Sequence, residues 1–308
     1  MPSAVRTRPN LFLVGAPKCG TTSLYEYLRK HPQIFFPTGE EESTYWHAKE
    51  PAYFCVDLNL PAEKSIKDEQ VYLALYGGAE GYKWRGDASA FYLYSKEAAV
   101  RIREFCPDAR ILITLRDPVQ QMHSWHADCL LNPSEDITDF FEAVAASGDR
   151  RRGLRLAPGG IPAWQDYFGV AQFAGQVERY LNAFGRESVH VVLLEDLAAD
   201  PVKTYRGILE FLEVDPSFVP EFRVYNEPPV KGRAERLLNA VHSLPGVRQV
   251  SDWIFPYDVR RRLIVAVRRL HRGRPKPPDP RDAELRARCR PDIERLAPLI
   301  GRDLSHWL

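Results

Sequence analysis

A chain of 308 residues, 44% hydrophobic and 27% charged, is long enough to bury one large core and has the composition of a globular domain. Its formal net charge of +1 excludes nucleic-acid binding through overall charge and confines any basic function to local clusters. No apolar run reaches membrane-spanning length and the opening "MPSAVRTRPN" lacks the apolar stretch of a secretory leader, so a single cytoplasmic domain over residues 1–308 is expected. Cys19, Cys55, Cys106, Cys129 and Cys289 are scattered, odd in number and without a C-x-x-C pair. That pattern points to reduced thiols and to no cysteine-built zinc site.

The first predicted element is the strand "LFLVG" from Leu11, followed by the loop "APKCG" and the helix "TSLYEYLRKH", which His31-Pro32 ends. Gly15 and Gly20 keep the glycine spacing of a triphosphate-binding loop, G-x-x-x-x-G-K-[ST], but Thr21 stands where its lysine belongs and the lysine has moved inside, to Lys18. Amides at the helix start and the helix dipole still form an anion nest. The loop is therefore expected to bind phosphate without the usual grip on a triphosphate and Mg²⁺. Cys19, within it, reads as a small filler rather than a nucleophile.

Further along, "YKWRGDAS" is a weaker strand, "SKEAAVRIREF" from Ser95 a helix and "RILITL" from Arg110 a strand. Arg116 ends that strand, Asp117-Pro118 turns the chain into the helix "QMHSWHADCLL", and Ser124 lies on it. A strand-end arginine and a hydroxyl on the next helix can converge on one phosphate, although alone they equally describe a surface turn. "DRRRGLRLAPGGIP", around 149–163, reads as a mobile loop near the site. "AQFAGQVERYLNAF" is a helix, "VHVVLL" from Val189 a strand, and Asp200-Pro201 caps the helix "PVKTYRGILEFLEV". The basic stretch over 259–273 reads as a helix with a core face and a solvated face, with peripheral contact to an anionic membrane as the alternative. A Pro-rich connection, 271–281, leads to the last helix, "AELRARCRPDIERLAPLIG". Strand–helix alternation implies an α/β fold, three layers (α/β/α) around a central parallel sheet, with ligands beyond the carboxyl ends of the strands.

Two anion elements at neighbouring strand ends imply a nucleotide phosphorylated at two separated positions. At these residues the chain resembles the sulfotransferases that use 3′-phosphoadenosine 5′-phosphosulfate (PAPS). "GAPKCGTTSLYEYLRKHPQI" is similar to their 5′-phosphosulfate loop and "RDPVQQMHSWH" to their 3′-phosphate motif. "KEPAYF", "GDASAFYL", "FLEVDP", "VKGR" and "LIGRDLSHWL" extend the resemblance over most of the chain, and to the bacterial and Golgi carbohydrate-type branch in particular. The resemblance implies a P-loop-NTPase-like fold and transfer of the sulfuryl group to an acceptor hydroxyl, on a carbohydrate or a glycosylated or secondary metabolite, without a metal. PAP, adenosine 3′,5′-bisphosphate, is the other product.

It further implies that Lys18 contacts the bridging oxygen of the donor, with Cys19, Gly20, Thr21, Thr22 and Ser23 around the 5′-phosphate. Arg116 and Ser124 then hold the 3′-phosphate, and Lys231, Gly232 and Arg233 close over it and the adenine. Glu50 matches the family's general base, and Lys49 holds the sulfonyl group or the base. The chain departs from the family where "FPTGEEESTYWHA" precedes that pair. Glu41 or Glu42 is thus an alternative base, and Tyr45, Trp46 and His47 are candidate acceptor contacts, with Asp87 orienting the acceptor. His123 and His126 read as bystanders. A P-loop kinase predicts a lysine after Gly20, which is missing, and a catalytically inert nucleotide-binding adaptor would tolerate loss of Lys18 and Glu50.

Overall fold

Alternate residues of the first strand, β1 (Leu11–Gly15), serve two different cores, which is what a strand buried on both faces must do. Phe12 and Val14 pack on one side, Leu11 and Leu13 on the other. The computed structural model describes residues 7–39, 47–131, 134–223 and 279–308. Nearly all of them belong to one compact unit, 1–226 with 281–308; of a second unit, 227–280, only Asp279 and Pro280 are among them.

Five parallel strands form the central sheet, in the order β2-β3-β1-β4-β5, with β2 at Ile34–Phe35, β3 at Trp84–Asp87, β4 at Arg110–Leu115 and β5 at Val189–Leu193. The four predicted strands are all present, and the two-residue β2, too short to show a period, is the one that the sequence pattern does not reveal. Helices cover both faces, giving the expected three layers. Helix α1 (Thr21–Leu28) and helix α5 (Pro201–Phe211) lie over Leu11, Leu13 and Leu112, contributing Leu24, Leu28, Tyr205 and Ile208. On the opposite face, α2 (Ala98–Phe105), α3 (Pro118–Leu131), α4 (Phe173–Phe184) and α6 (Pro280–Ile300) contribute Ile102, Met122, Tyr180 and Leu296. No helix among the described residues is long and apolar enough to cross a membrane.

β1 is paired with β4 along its whole length, Leu11 with Arg110 through Gly15 with Thr114, so the carboxyl ends of the two strands lie side by side. From β1 the chain departs toward β2 at one edge, whereas β4 is followed in the sheet by β5 at the other edge. That reversal makes the crevice beyond Gly15 and Leu115 the natural ligand site of this sheet.

Candidate active site

The crevice is lined first by the loop after β1. A Cβ on Gly15 would stand 2.2 Å from Thr114 Oγ1, so a residue without a side chain is what allows the two strand ends to close up. Ala16 N–H donates to the Thr114 carbonyl at 3.3 Å and Cys19 N–H to the Ala16 carbonyl at 3.2 Å, which curls the loop back on itself. Lys18 (φ 68°) and Gly20 (φ 87°) are both left-handed. For a lysine this carries about 1–3 kcal/mol of backbone strain, of the kind held where a site requires it. Gly20 has no side chain to cap α1, so the amide end of the helix, with its partial positive charge, meets the loop without a carboxylate or hydroxyl cap from that residue. Thr21 and Ser23 are buried in the first turn and Thr22 is half-buried.

Cys19 is buried, and burial pushes its thiol well above the ordinary range, with the nearby charge of Arg116 opposing the rise. A buried, protonated thiol is a poor nucleophile. The pairing of β1 with β4 and the bond from Gln121 to Pro17 put the second anion element beside the first.

That second element rests on Asp117. Its Oδ1 accepts from Gln120 N–H at 3.0 Å, capping α3 with Pro118 in the first turn, and its Oδ2 accepts from Arg286 Nη1 at 2.6 Å. Arg116, half-buried, donates to Gln120 Oε1 at 3.1 Å. Farther along α3, Gln121 Nε2 donates to the Pro17 carbonyl at 3.0 Å, and Asp128 Oδ1 accepts from Lys18 Nζ at 3.0 Å. Gln121, Ser124 and Asp128 are spaced by three and four residues and so share one helix face, which is turned to the loop. Asp128 was not singled out from the sequence; its spacing from Ser124 is the signal that could have found it.

The Lys49–Glu50 pair lies beside α1. Lys49 is buried, its ammonium paired with Glu50 Oε1 and 5.7 Å from the ring of Tyr25 on α1, whereas the Glu50 side chain keeps 28% of its exposure. The pair is pinned through its backbone. The Lys49 carbonyl accepts from Ala88 N–H at 3.2 Å, and Ala52 N–H, at a left-handed residue (φ 48°), donates to Ser89 Oγ at 2.9 Å.

Asp87, expected to orient an acceptor, lies under this turn. Its carboxylate accepts from Tyr72 and Tyr92 hydroxyls at 2.8 Å each and from Ser89 N–H and Oγ at 3.0 and 2.7 Å. Burial raises its pKa to about 6 against these hydrogen bonds, which lower it. His47 is directed to the Glu63 carbonyl at 2.5 Å. His123 pairs with Asp282 at 2.7 Å and the buried His126 meets the Ile137 carbonyl at 2.9 Å. Among the described residues no group of three or more His, Cys, Asp or Glu is disposed as a metal-ligand set. Tyr45, Trp46, Glu41, Glu42, Lys231, Gly232, Arg233 and the basic stretch 259–273 lie outside the described residues.

Beside Asp128 on α3, Trp125 donates Nε1–H to the Trp164 carbonyl at 2.7 Å. Phe91 packs against both indoles at 5.7 and 6.1 Å, and Lys64 Nζ lies 5.6 Å from the Trp164 ring. The two indoles keep partial exposure.

The family described as "Sulfotransferase family" matches residues 9–218, a span that contains the loop, the Arg116 turn, α3 and the Lys49–Glu50 pair. A solved sulfotransferase from Alicyclobacillus acidocaldarius is 32% identical, with a TM-score of 0.66 over 98% of this chain and 99% of that one. Mouse bifunctional heparan sulfate N-deacetylase/N-sulfotransferase 4 is 24% identical over 230 residues, 68% of this chain and 23% of its own length. Human carbohydrate sulfotransferase 15 is 23% identical over 256 residues, 69% of this chain and 45% of its own length. The chain thus spans less than half the length of these two curated relatives.

Proposed function

Since the chain belongs to the sulfotransferase family, its crevice must serve a sulfuryl donor and an acceptor, and we propose that the donor is PAPS and the acceptor a hydroxyl of a carbohydrate or of a glycosylated or secondary metabolite. The observation that carries this reading is the pairing of two cationic strand ends across β1 and β4. Lys18 stands in a strained anion nest after one strand, and Arg116 on a capped turn after the other. A donor with phosphates at its 3′ and 5′ positions offers each element one anion.

In the proposed reaction the acceptor oxygen attacks sulfur in line, and the bond between sulfur and the bridging oxygen of the 5′-phosphate breaks. The acceptor proton passes to Glu50, and PAP departs. Lys18 and the amide end of α1 meet the charge that grows on the leaving oxygen, which is stabilisation aimed at the transition state. The buried Lys49 holds Glu50 in place, and Phe91, Trp125 and Trp164 offer a surface for a sugar or aryl ring. The whole chain is read as one catalytic domain.

Calorimetric titration with PAP in EDTA, and separately with ATP and Mg²⁺, tests the donor. Metal-free binding of PAP is expected, weakened about tenfold or more in Lys18→Ala and in Arg116→Ala, since each removes a charge-assisted contact. Binding of ATP–Mg²⁺ with none of PAP would transfer the crevice to a kinase reading. Acceptors are then screened with sulfate-labelled donor.

A further inference from the structure

We propose that Asp128 is a positioning residue that holds Lys18 in the donor-free enzyme and releases it to the donor, so that donor entry and delivery of the loop lysine are one exchange of partners. The inference rests on the donor reading above. Lys18 and Asp128 are 110 residues apart and yet meet at 3.0 Å, with only 15% and 29% of their side chains exposed. A pair this sheltered is screened less than a surface ion pair, and a lysine already neutralised by a carboxylate is not free to neutralise a phosphosulfate.

A second contact from α3 also grips the loop. Gln121 holds the Pro17 carbonyl two turns earlier on the same face, and Gln121 itself is fully buried. The Gln121 grip fixes backbone that does not change charge. The Asp128 grip is made to a cation that an incoming anion attracts more strongly. Between them lies Ser124, on the face where the 3′-phosphate is proposed to bind. A donor seated against Ser124 and Arg116 therefore brings its 5′ end toward the Lys18–Asp128 pair.

Two readouts separate this from a merely structural contact. Replacing Asp128 with Asn, which keeps the shape and removes the charge, removes a competitor for Lys18. PAP affinity is expected to rise about fivefold, as for a coupled charged pair, with a fall in KM for the donor and a simultaneous fall in kcat, because the lysine is no longer delivered from a fixed position. Asp128→Glu is expected to restore values near those of the unaltered protein. In the Lys18→Ala background, Asp128→Asn is expected to change PAP affinity less than twofold.

The experiment is PAP calorimetry on the full chain for these variants and their double mutant, with Asp128→Ser as a second neutral substitution should Asn disturb folding. An affinity gain of equal size with and without Lys18 overturns the proposal in favour of general charge repulsion, and unchanged PAP affinity in both neutral variants overturns it directly. If the unaltered protein fails to bind PAP, the donor reading falls and takes this inference with it, an outcome distinct from the other two.

Discussion

Lys49 and Glu50 are neighbours in sequence with opposite surroundings, the lysine side chain wholly covered and the glutamate partly open to solvent. A buried ammonium is costly without an anion beside it, so Glu50 serves the fold and the proposed chemistry together. Glu50→Gln is expected to lower kcat by about 10²–10⁴ while PAP affinity changes little, as for loss of a general base. It is also expected to lower the melting temperature, because Lys49 loses a counter-charge. Adding Lys49→Met should recover stability but not turnover, and turnover that survives in Glu50→Gln would return attention to Glu41 and Glu42. Asp87 provides a pH test on the same turn. Its folded pKa, near 6, lies above that of an unfolded aspartate, so the folded state binds the extra proton between those values. Its contribution to stability is therefore largest below the unfolded value and declines as pH rises through about 6, staying low above it. The melting-temperature difference between the unaltered protein and Asp87→Asn is expected to be larger at acid pH than at neutral pH, in a thermal-melt series. A difference independent of pH would place the titration elsewhere. The places of Lys18 in the loop after β1, of Arg116 at the end of β4 and of Ser124 on the next helix are legible in the sequence because glycine spacing and a strand-to-helix turn announce them. Asp128 and Arg286 are not, since their roles depend on contacts 110 and 169 residues away in the chain.

At the scale of elements, strands with apolar, β-branched runs and helices with strong caps are readable from local pattern, as "RILITL" and Asp200-Pro201 illustrate. The stretch between α3 and α4 is harder. The segment read as a loop over 149–163 closes the short helix Ser147–Arg151 with its first three residues and is non-helical from 152 to 161, and its arginines are ion-paired. Arg150, fully buried, forks onto Glu135 at 2.5 and 2.7 Å, and Tyr167 donates its hydroxyl to the same carboxylate at 2.6 Å. Arg151 forks onto the buried Asp166 at 2.6 and 3.0 Å. A run of arginines flanked by glycines looks solvent-exposed because sequence does not show which carboxylates will face it. Arg150→Met is expected to cost about 3–5 kcal/mol by leaving Glu135 buried without its cation, and Arg150→Met with Glu135→Gln to recover much of that. Chemical denaturation of the two variants checks it; equal stability of the single variant and the unaltered protein would mean that the pair carries little.

Across the whole molecule, alternation of strands and helices specifies the class of fold, yet it leaves strand order open. That β3 lies between β1 and β2 depends on contacts such as Trp84 with Gln33 and Leu11 with Gly86, which no local pattern encodes. The end of the chain is equally hidden. Arg286 reaches Asp117, Arg302 forks onto Asp196 at 2.6 and 2.9 Å, and Trp307, buried, donates to Glu195 at 2.7 Å. Asp117 caps the helix that carries Ser124 and Asp128, so the proposed 3′-phosphate turn is braced by a side chain 169 residues farther along the chain. At about 5–20 residues per second, the loop after β1 and the β4 and α3 residues that hold it are made well before Arg286. The two anion elements of the crevice are thus finished at different moments in the life of the polypeptide, the Arg116 turn gaining its brace only once Arg286 has been made.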